Sequence, residues 1–172
     1  NFHSTVSPWV VTSAALAPFR IPQPPRPEGD PAPLPYLLDA DDQAHGAYAI
    51  EMEVRLLTAK MRDAGLEAER LSRGPMTAMY WTAAQLVAHH TVNGCNLMPG
   101  DLLGTGTLSG EARDSFGSLI ELGEGGKRPL TLANGETRSF LEDGDEVIMT
   151  AHAAREGFRS IGFGECRGRI AG

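Results

Sequence analysis

Between positions 48 and 56 the chain alternates without a break: Tyr48, Ile50, Met52, Val54 and Leu56 are apolar, and Ala49, Glu51, Glu53 and Arg55 lie between them. Successive side chains of a strand point to opposite faces, so this period of two predicts a strand with one face buried and one in water. The second half repeats the theme in shorter pieces. Apolar stretches at 102–107, 118–122, 129–132, 137–141, 145–152 and 159–164 are separated by glycines and read as short strands. Asn134-Gly135, between Pro129–Leu132 and Thr137–Leu141, marks a hairpin whose turn needs φ > 0, and Asp143-Gly144 marks a second tight turn. Tyr80–Thr91 lacks Gly and Pro, is rich in helix formers and ends before Asn93-Gly94, which predicts the one substantial helix. The expected fold class is therefore α+β and mainly β.

The remaining segments are less regular. Ser7–Thr12 reads as a short strand and Ser13–Pro18 as a helical turn stopped by proline. Residues 21–35 carry seven prolines, at 22, 24, 25, 27, 31, 33 and 35, which fix φ and remove donors, so they form an extended strap. The strap is expected to lie over its own domain, because its flanks are too short to fold separately. Residues 60–76 are mixed and polar. No repeat of fixed period occurs, which excludes solenoids and propellers.

Composition narrows the class further. A chain of 172 residues suits one domain and buries roughly 70% of its unfolded surface, so it needs no disulfide framework. The 41% apolar and 22% charged shares, with twenty glycines in no period, describe a loop-rich globular protein. The two cysteines, Cys95 and Cys166, form no C-x-x-C pair, which fits a reducing cytoplasm. A net charge of −7 without a Lys/Arg cluster argues against nucleic acid and anionic membrane partners, and no apolar run approaches the ~20 residues of a spanning helix. The start at Asn1 suggests a fragment.

Each chemical candidate has a plainer alternative. Gly104-Thr105-Gly106-Thr107-Leu108-Ser109-Gly110 has the wrong glycine spacing for a dinucleotide fold, and no G-K-[ST] follows. It offers hydroxyls and N–H groups, or merely a tight bend. Among the five histidines no H-E-x-x-H occurs. His89 and His90, about 100° apart on a helix, cannot easily share one metal and read as one packed and one solvated side chain. Glu51 and Glu53 share a strand face and could hold a hard cation, but a solvated outer face accounts for them. Asp39, Asp41 and Asp42 read as a polar loop. Cys95 shows no local base and reads as a buried structural thiol. Glu121 is the only charge in Ser118–Leu122, and taken alone it is an edge-strand carboxylate reaching solvent.

Several strings occur together in order: Ser7-Pro8-Trp9-Val10-Val11, Leu34-Pro35-Tyr36-Leu37, Tyr80-Trp81-Thr82, His89-His90-Thr91-Val92-Asn93-Gly94-Cys95-Asn96-Leu97, Pro99-Gly100-Asp101, Gly106-Thr107-Leu108-Ser109-Gly110, Phe116-Gly117-Ser118, Asp143-Gly144-Asp145-Glu146-Val147-Ile148 and Ile161-Gly162-Phe163-Gly164-Glu165-Cys166. In these the chain resembles the fumarylacetoacetate hydrolase family over nearly its whole length, most loosely at 38–76. The resemblance implies a mixed β-sandwich roll, of which residues 1–172 would be the C-terminal portion. It also implies a cytoplasmic homodimer that hydrolyses a carbon–carbon bond of the small molecule 4-fumarylacetoacetate in tyrosine and phenylalanine breakdown. Related acylpyruvate hydrolases and isomerases share the fold, and a non-catalytic dimerisation domain is a reading of another class. In the family a histidine held by a glutamate activates water, while calcium, a lysine and an arginine stabilise charge. Carried over, the glutamate is Glu121 and a substrate-binding threonine is Thr107. A structural magnesium uses a glycine and a threonine hydroxyl whose positions here are His3 and Ser4, and His3 puts that site in doubt where φ > 0 is required. The catalytic histidine, lysine, arginine and calcium carboxylates are expected upstream of Asn1, and Glu51 and Glu53 do not replace them.

Overall fold

The central alternation becomes the middle of an antiparallel sheet. The computed structural model describes residues 4–172. Helix α1 spans Ser13–Leu16, β1 Arg20–Ile21, α2 Ala40–His45, β2 Ala47–Tyr48, β3 Ile50–Leu57, α3 Ala59–Asp63 and β4 Glu69–Pro75. These are followed by α4 Ala83–Thr91, α5 Leu119–Leu122, β5 Leu130–Thr131, β6 Thr137–Arg138, β7 Glu146–Ala153 and β8 Ile161–Arg169. The fold is α+β. Its framework is one four-stranded sheet of order β4-β3-β7-β8, accompanied by the two-stranded ladders β1-β2 and β5-β6.

Register explains the two faces. Directly opposed residues share a face in an antiparallel ladder, and the pairs Ile50↔Ala153, Met52↔Ala151, Val54↔Met149 and Leu56↔Val147 collect the apolar side chains on one side. Phe19 packs on the Ile50/Ala153 end, while Met61 and Leu132 pack on the Leu56 end. A side chain buried this fully contributes about 1.5–3 kcal/mol. Between these two small cores, Val54 is half-buried and Met149 remains 41% exposed. The centre of the apolar face is thus only partly covered, and the candidate site lies over it. On the other face, Glu51 bonds Arg73 and Glu53 bonds Arg55. The two glutamates are half-buried beneath arginines rather than freely solvated.

Helix α4 begins three residues later than predicted because Thr82 caps it. The Thr82 hydroxyl accepts the Gln85 amide at 3.1 Å, and Gln85 Oε1 accepts the Thr82 amide at 2.9 Å. Both side chains are buried and tie the helix to its surroundings: Thr82 donates to Asp42, and Gln85 donates to the Leu37 carbonyl at 2.9 Å. Gln23 of the proline-rich segment donates to Gln85 at 3.0 Å, and the Arg26 guanidinium lies 4.5 Å from both the Tyr80 and Trp81 ring centres.

Five local expectations fail. Among the described residues the segments 7–12 and 102–107 pair with no strand; in the latter Gly106 has φ +79°, outside the strand region. Residues 60–76 do contain a strand, β4, whose charged residues suit the sheet's edge. Asp41 and Asp42 are not loop residues but lie in the first turn of α2, which Asp39 caps by accepting the Asp42 amide at 2.8 Å. Residues 118–122 form helix α5, not a strand, because Ser118-x-x-Glu121 is half of a capping box. The predicted hairpin and the Asp143-Gly144 turn both form, with Gly135 and Gly144 at φ near +87°.

Candidate functional site

Two clefts open on the uncovered centre of the sheet. One, of about 540 Å³, is lined by Met52, Ala151 and Phe163 below and by Thr105, Thr107 and Leu108 above. The other, of about 390 Å³, lies against Leu71, Phe116, Leu119, Leu122 and Phe140. Val54, Ser72, Met149 and Gly117 border both. The turn 116–118 is consequently the wall between them. It fits because residue 117 has no side chain: a Cβ there would stand 2.4 Å from the Leu108 carbonyl oxygen and 2.7 Å from Thr107 Cγ2.

That close approach joins the two residues singled out by the resemblance. The Gly117 amide donates to Ser109 Oγ at 2.9 Å, and the Ser109 hydroxyl faces Glu121 with both carboxylate oxygens at 2.8 Å. Ser118 closes the cradle, its hydroxyl donating to Glu121 Oε2 at 2.6 Å while accepting the Glu121 amide at 3.3 Å. The Ser118 bond, then the Ser109 bond, hold the Glu121 carboxyl below its ordinary pKa, so it is ionised at neutral pH. Among the described residues no Lys, Arg or His nitrogen lies within 4.0 Å of it. Glu121 is a half-buried carboxylate supplied with donors and left without a counter-cation. Thr107 is exposed in the neighbouring cleft, and its hydroxyl makes no hydrogen bond among the described residues. Ser109 and Ser118 had not been singled out in the sequence; the Ser-x-x-Glu spacing was the available signal for Ser118, and Ser109 had none.

The other candidates separate from this centre. Ser4 is exposed, and His3 lies outside the described residues. No group of three or more His, Cys, Asp or Glu among the described residues could hold a metal. One hydroxyl is a poor donor set for a hard cation that takes six or more oxygens, so these residues do not by themselves fit calcium or magnesium. His89 and His90 are both exposed: His89 Nδ1 lies 2.8 Å from the Tyr36 hydroxyl, and His90 Nε2 lies 3.3 Å from Cys95 Sγ. Cys95 is therefore neither buried nor without a base, because the helix end folds the chain back and brings residue 95 to residue 90. No described helix is long and apolar enough to cross a membrane.

Residues 1–171 match the family model described as fumarylacetoacetate (FAA) hydrolase C-terminal. The chain belongs to the fumarylacetoacetate hydrolase family. It is 46% identical over 170 residues to the fumarylacetoacetases of Bos taurus and Homo sapiens, and 45% identical over 170 residues to that of Arabidopsis thaliana. Each alignment covers 99% of this chain and 38% of the relative, so the chain spans well under half the length of the fumarylacetoacetases it matches. The family strings can now be placed. Gly106–Gly110 and Phe116–Ser118 build the wall and the Glu121 cradle, whereas Asp143–Ile148 serves the framework: Asp145, fully buried, binds Arg138, and Glu146 binds Arg62 and Arg167.

Proposed function

We propose that a protein containing this chain hydrolyses the carbon–carbon bond between the fumaroyl and acetoacetyl parts of 4-fumarylacetoacetate, giving fumarate and acetoacetate in tyrosine and phenylalanine breakdown. The observation that carries the reading is the Glu121 cradle beside the Thr107 cleft, in a chain of this family. Hydrolysis here means that water adds to the ketone next to the scissile bond, and the electron pair of that bond leaves on the acetoacetate carbon, which then takes a proton. A base poised near neutral pH must accept the water's proton. A histidine from outside the described residues would be that base. Glu121, ionised and without a cation within 4.0 Å among the described residues, has the chemistry to orient its ring and raise its basicity. Thr107 would donate its unpaired hydroxyl to a substrate carboxylate or carbonyl, and the apolar floor would exclude water from the carbon chain.

Homodimeric assembly and a cytoplasmic location belong to the same reading. Trp9 and Val10, 70% and 85% exposed, offer apolar surface for an assembly contact, and the two free thiols suit a reducing compartment. Metal dependence enters from family membership, and its ligands would come chiefly from residues other than those described. Domain organisation follows likewise: residues 1–172 are proposed as the C-terminal portion of one catalytic unit, with 21–35 as a strap within it.

The test is Glu121→Gln in the full-length protein, with kcat/KM followed against pH. A carboxylate beside an imidazole favours the protonated ring, so its loss lowers the acid-side pKa of the profile and reduces kcat. An unchanged rate and unchanged acid limb would reduce Glu121 to a structural role, and faster turnover of acylpyruvates would move the reading to that sister activity.

A further inference from the structure

The end of helix α4 carries a separate arrangement of reactive side chains, unconnected by any hydrogen bond among the described residues to the Glu121 cradle. Cys95 is exposed, and its sulfur lies 3.3 Å from Nε2 of His90, itself exposed in the last turn of the helix. Gly94, at φ +88°, lets the chain turn back sharply enough to bring the two together, and its amide closes the turn on the Thr91 carbonyl at 2.9 Å. The neighbouring titratable groups are otherwise engaged: His89 with the Tyr36 hydroxyl and Asp101 with the Met98 amide. No Asp or Glu oxygen among the described residues lies within 4.0 Å of the His90 ring nitrogens. The imidazole therefore has the thiol as its side-chain partner, and the helix C-terminus favours a positive charge there.

We propose that Cys95, with His90 as its proton partner, is a site of covalent addition for soft α,β-unsaturated carbonyl electrophiles. His90 Nε2 takes the thiol proton, the sulfur bonds to the β-carbon, and the π electron pair moves to the α-carbon side as an enolate. The enolate recovers the proton from the imidazolium. Thiol and alkene become a thioether without any oxidant or leaving group. Acyl transfer is disfavoured because the Cys95 amide, the natural oxyanion donor, is committed to Asn93 Oδ1 at 3.3 Å. The other thiol, Cys166, is half-buried and points to the Thr5 carbonyl at 3.5 Å, with no histidine beside it among the described residues, so it serves as an internal reference.

The substrate proposed above carries such a conjugated bond, but the site stands apart from that reading, and the probe is N-ethylmaleimide so that the two fail separately. Full-length protein is labelled briefly and each cysteine is followed by peptide mass spectrometry between pH 6 and 10. At pH 7 Cys95 reacts at least about tenfold faster than Cys166, and His90→Ala slows Cys95 by about tenfold while leaving Cys166 unchanged. The two Cys95 curves converge above about pH 9.5, where any exposed thiol is ionised. Labelling of Cys95 no faster than Cys166, whether from burial by another subunit or from lack of activation, overturns the proposal. So does a pH profile that His90→Ala leaves unmoved.

Discussion

Glu121, in the short helix α5, and Asp145, in the turn before β7, are half-buried and buried carboxylates beside the same sheet, yet their surroundings are opposite. Asp145 is fully buried and receives both arms of Arg138, at 2.8 and 3.0 Å, with the Glu142 amide as a third donor at 3.0 Å. Among the described residues Glu121 receives only neutral hydroxyl donors, from Ser109 and Ser118. A carboxylate closed by a bidentate arginine has its charge spent on the framework. A carboxylate held by neutral donors keeps its charge for something else. The difference separates an acid tied into the scaffold from one left open to a partner more clearly than burial does.

The largest effect that would break this comparison lies on the scaffold side. Arg138→Met strands the Asp145 charge in the interior and is expected to lower stability by about 3–5 kcal/mol in a urea titration, with activity per folded molecule retained. A loss below about 1 kcal/mol would show that the pair is dispensable. Glu121→Gln should do the reverse, cutting kcat in the full-length protein by about 100-fold to 1,000-fold, with a comparatively small shift of the urea midpoint. Ser109→Ala is the finer probe. It removes a bond to the ionised carboxylate, so the Glu121 pKa should rise toward its ordinary value, read by carbon-13 NMR of labelled glutamate, with a loss of about 1.5–3 kcal/mol at neutral pH. An unmoved Glu121 titration would mean that Ser118 alone sets the charge.

The smallest effect concerns acid. Glu136, like Glu121, is held ionised by neutral donors first, the Thr58 hydroxyl at 2.5 Å and then Asn134, with Arg138 adding to them, and its pKa falls to about 2. A carboxyl whose folded pKa is depressed adds stability that is complete above its unfolded value and disappears as pH falls through the folded one. For Glu136 that window runs from 4.5 down to about 2. Glu136→Gln should therefore flatten the dependence of the urea midpoint on pH within that window and leave its slope above pH 5 unchanged.

How much of this was legible in the sequence depended on the range of the cause. The strand at Ile50–Leu57, the Asn134-Gly135 turn and the Gly144 turn follow from local patterns that dominate their own conformation. Edge strand β4 was missed because its outer side needs no apolar partner. Helix α5 was misread because five residues with three apolar side chains fit either period, and the deciding hint was the single serine at its start. At the site, Glu121 and Thr107 were named through the family strings and not through their surroundings. The fact that Ser109 reaches Glu121 depends on the 105–110 loop crossing the 116–118 turn, a contact between backbones that no side-chain pattern records. Cys95 and His90 meet only because the helix stops between them.

Gly117 makes the two clefts interdependent. Since the turn it belongs to is shared by both, a side chain introduced there would push that turn away from Thr107 and toward Phe140, enlarging one chamber at the expense of the other. How the space over the sheet is divided is thus set where the protein has no side chain at all, and Glu121, held through Ser118 of the same turn, shifts with it.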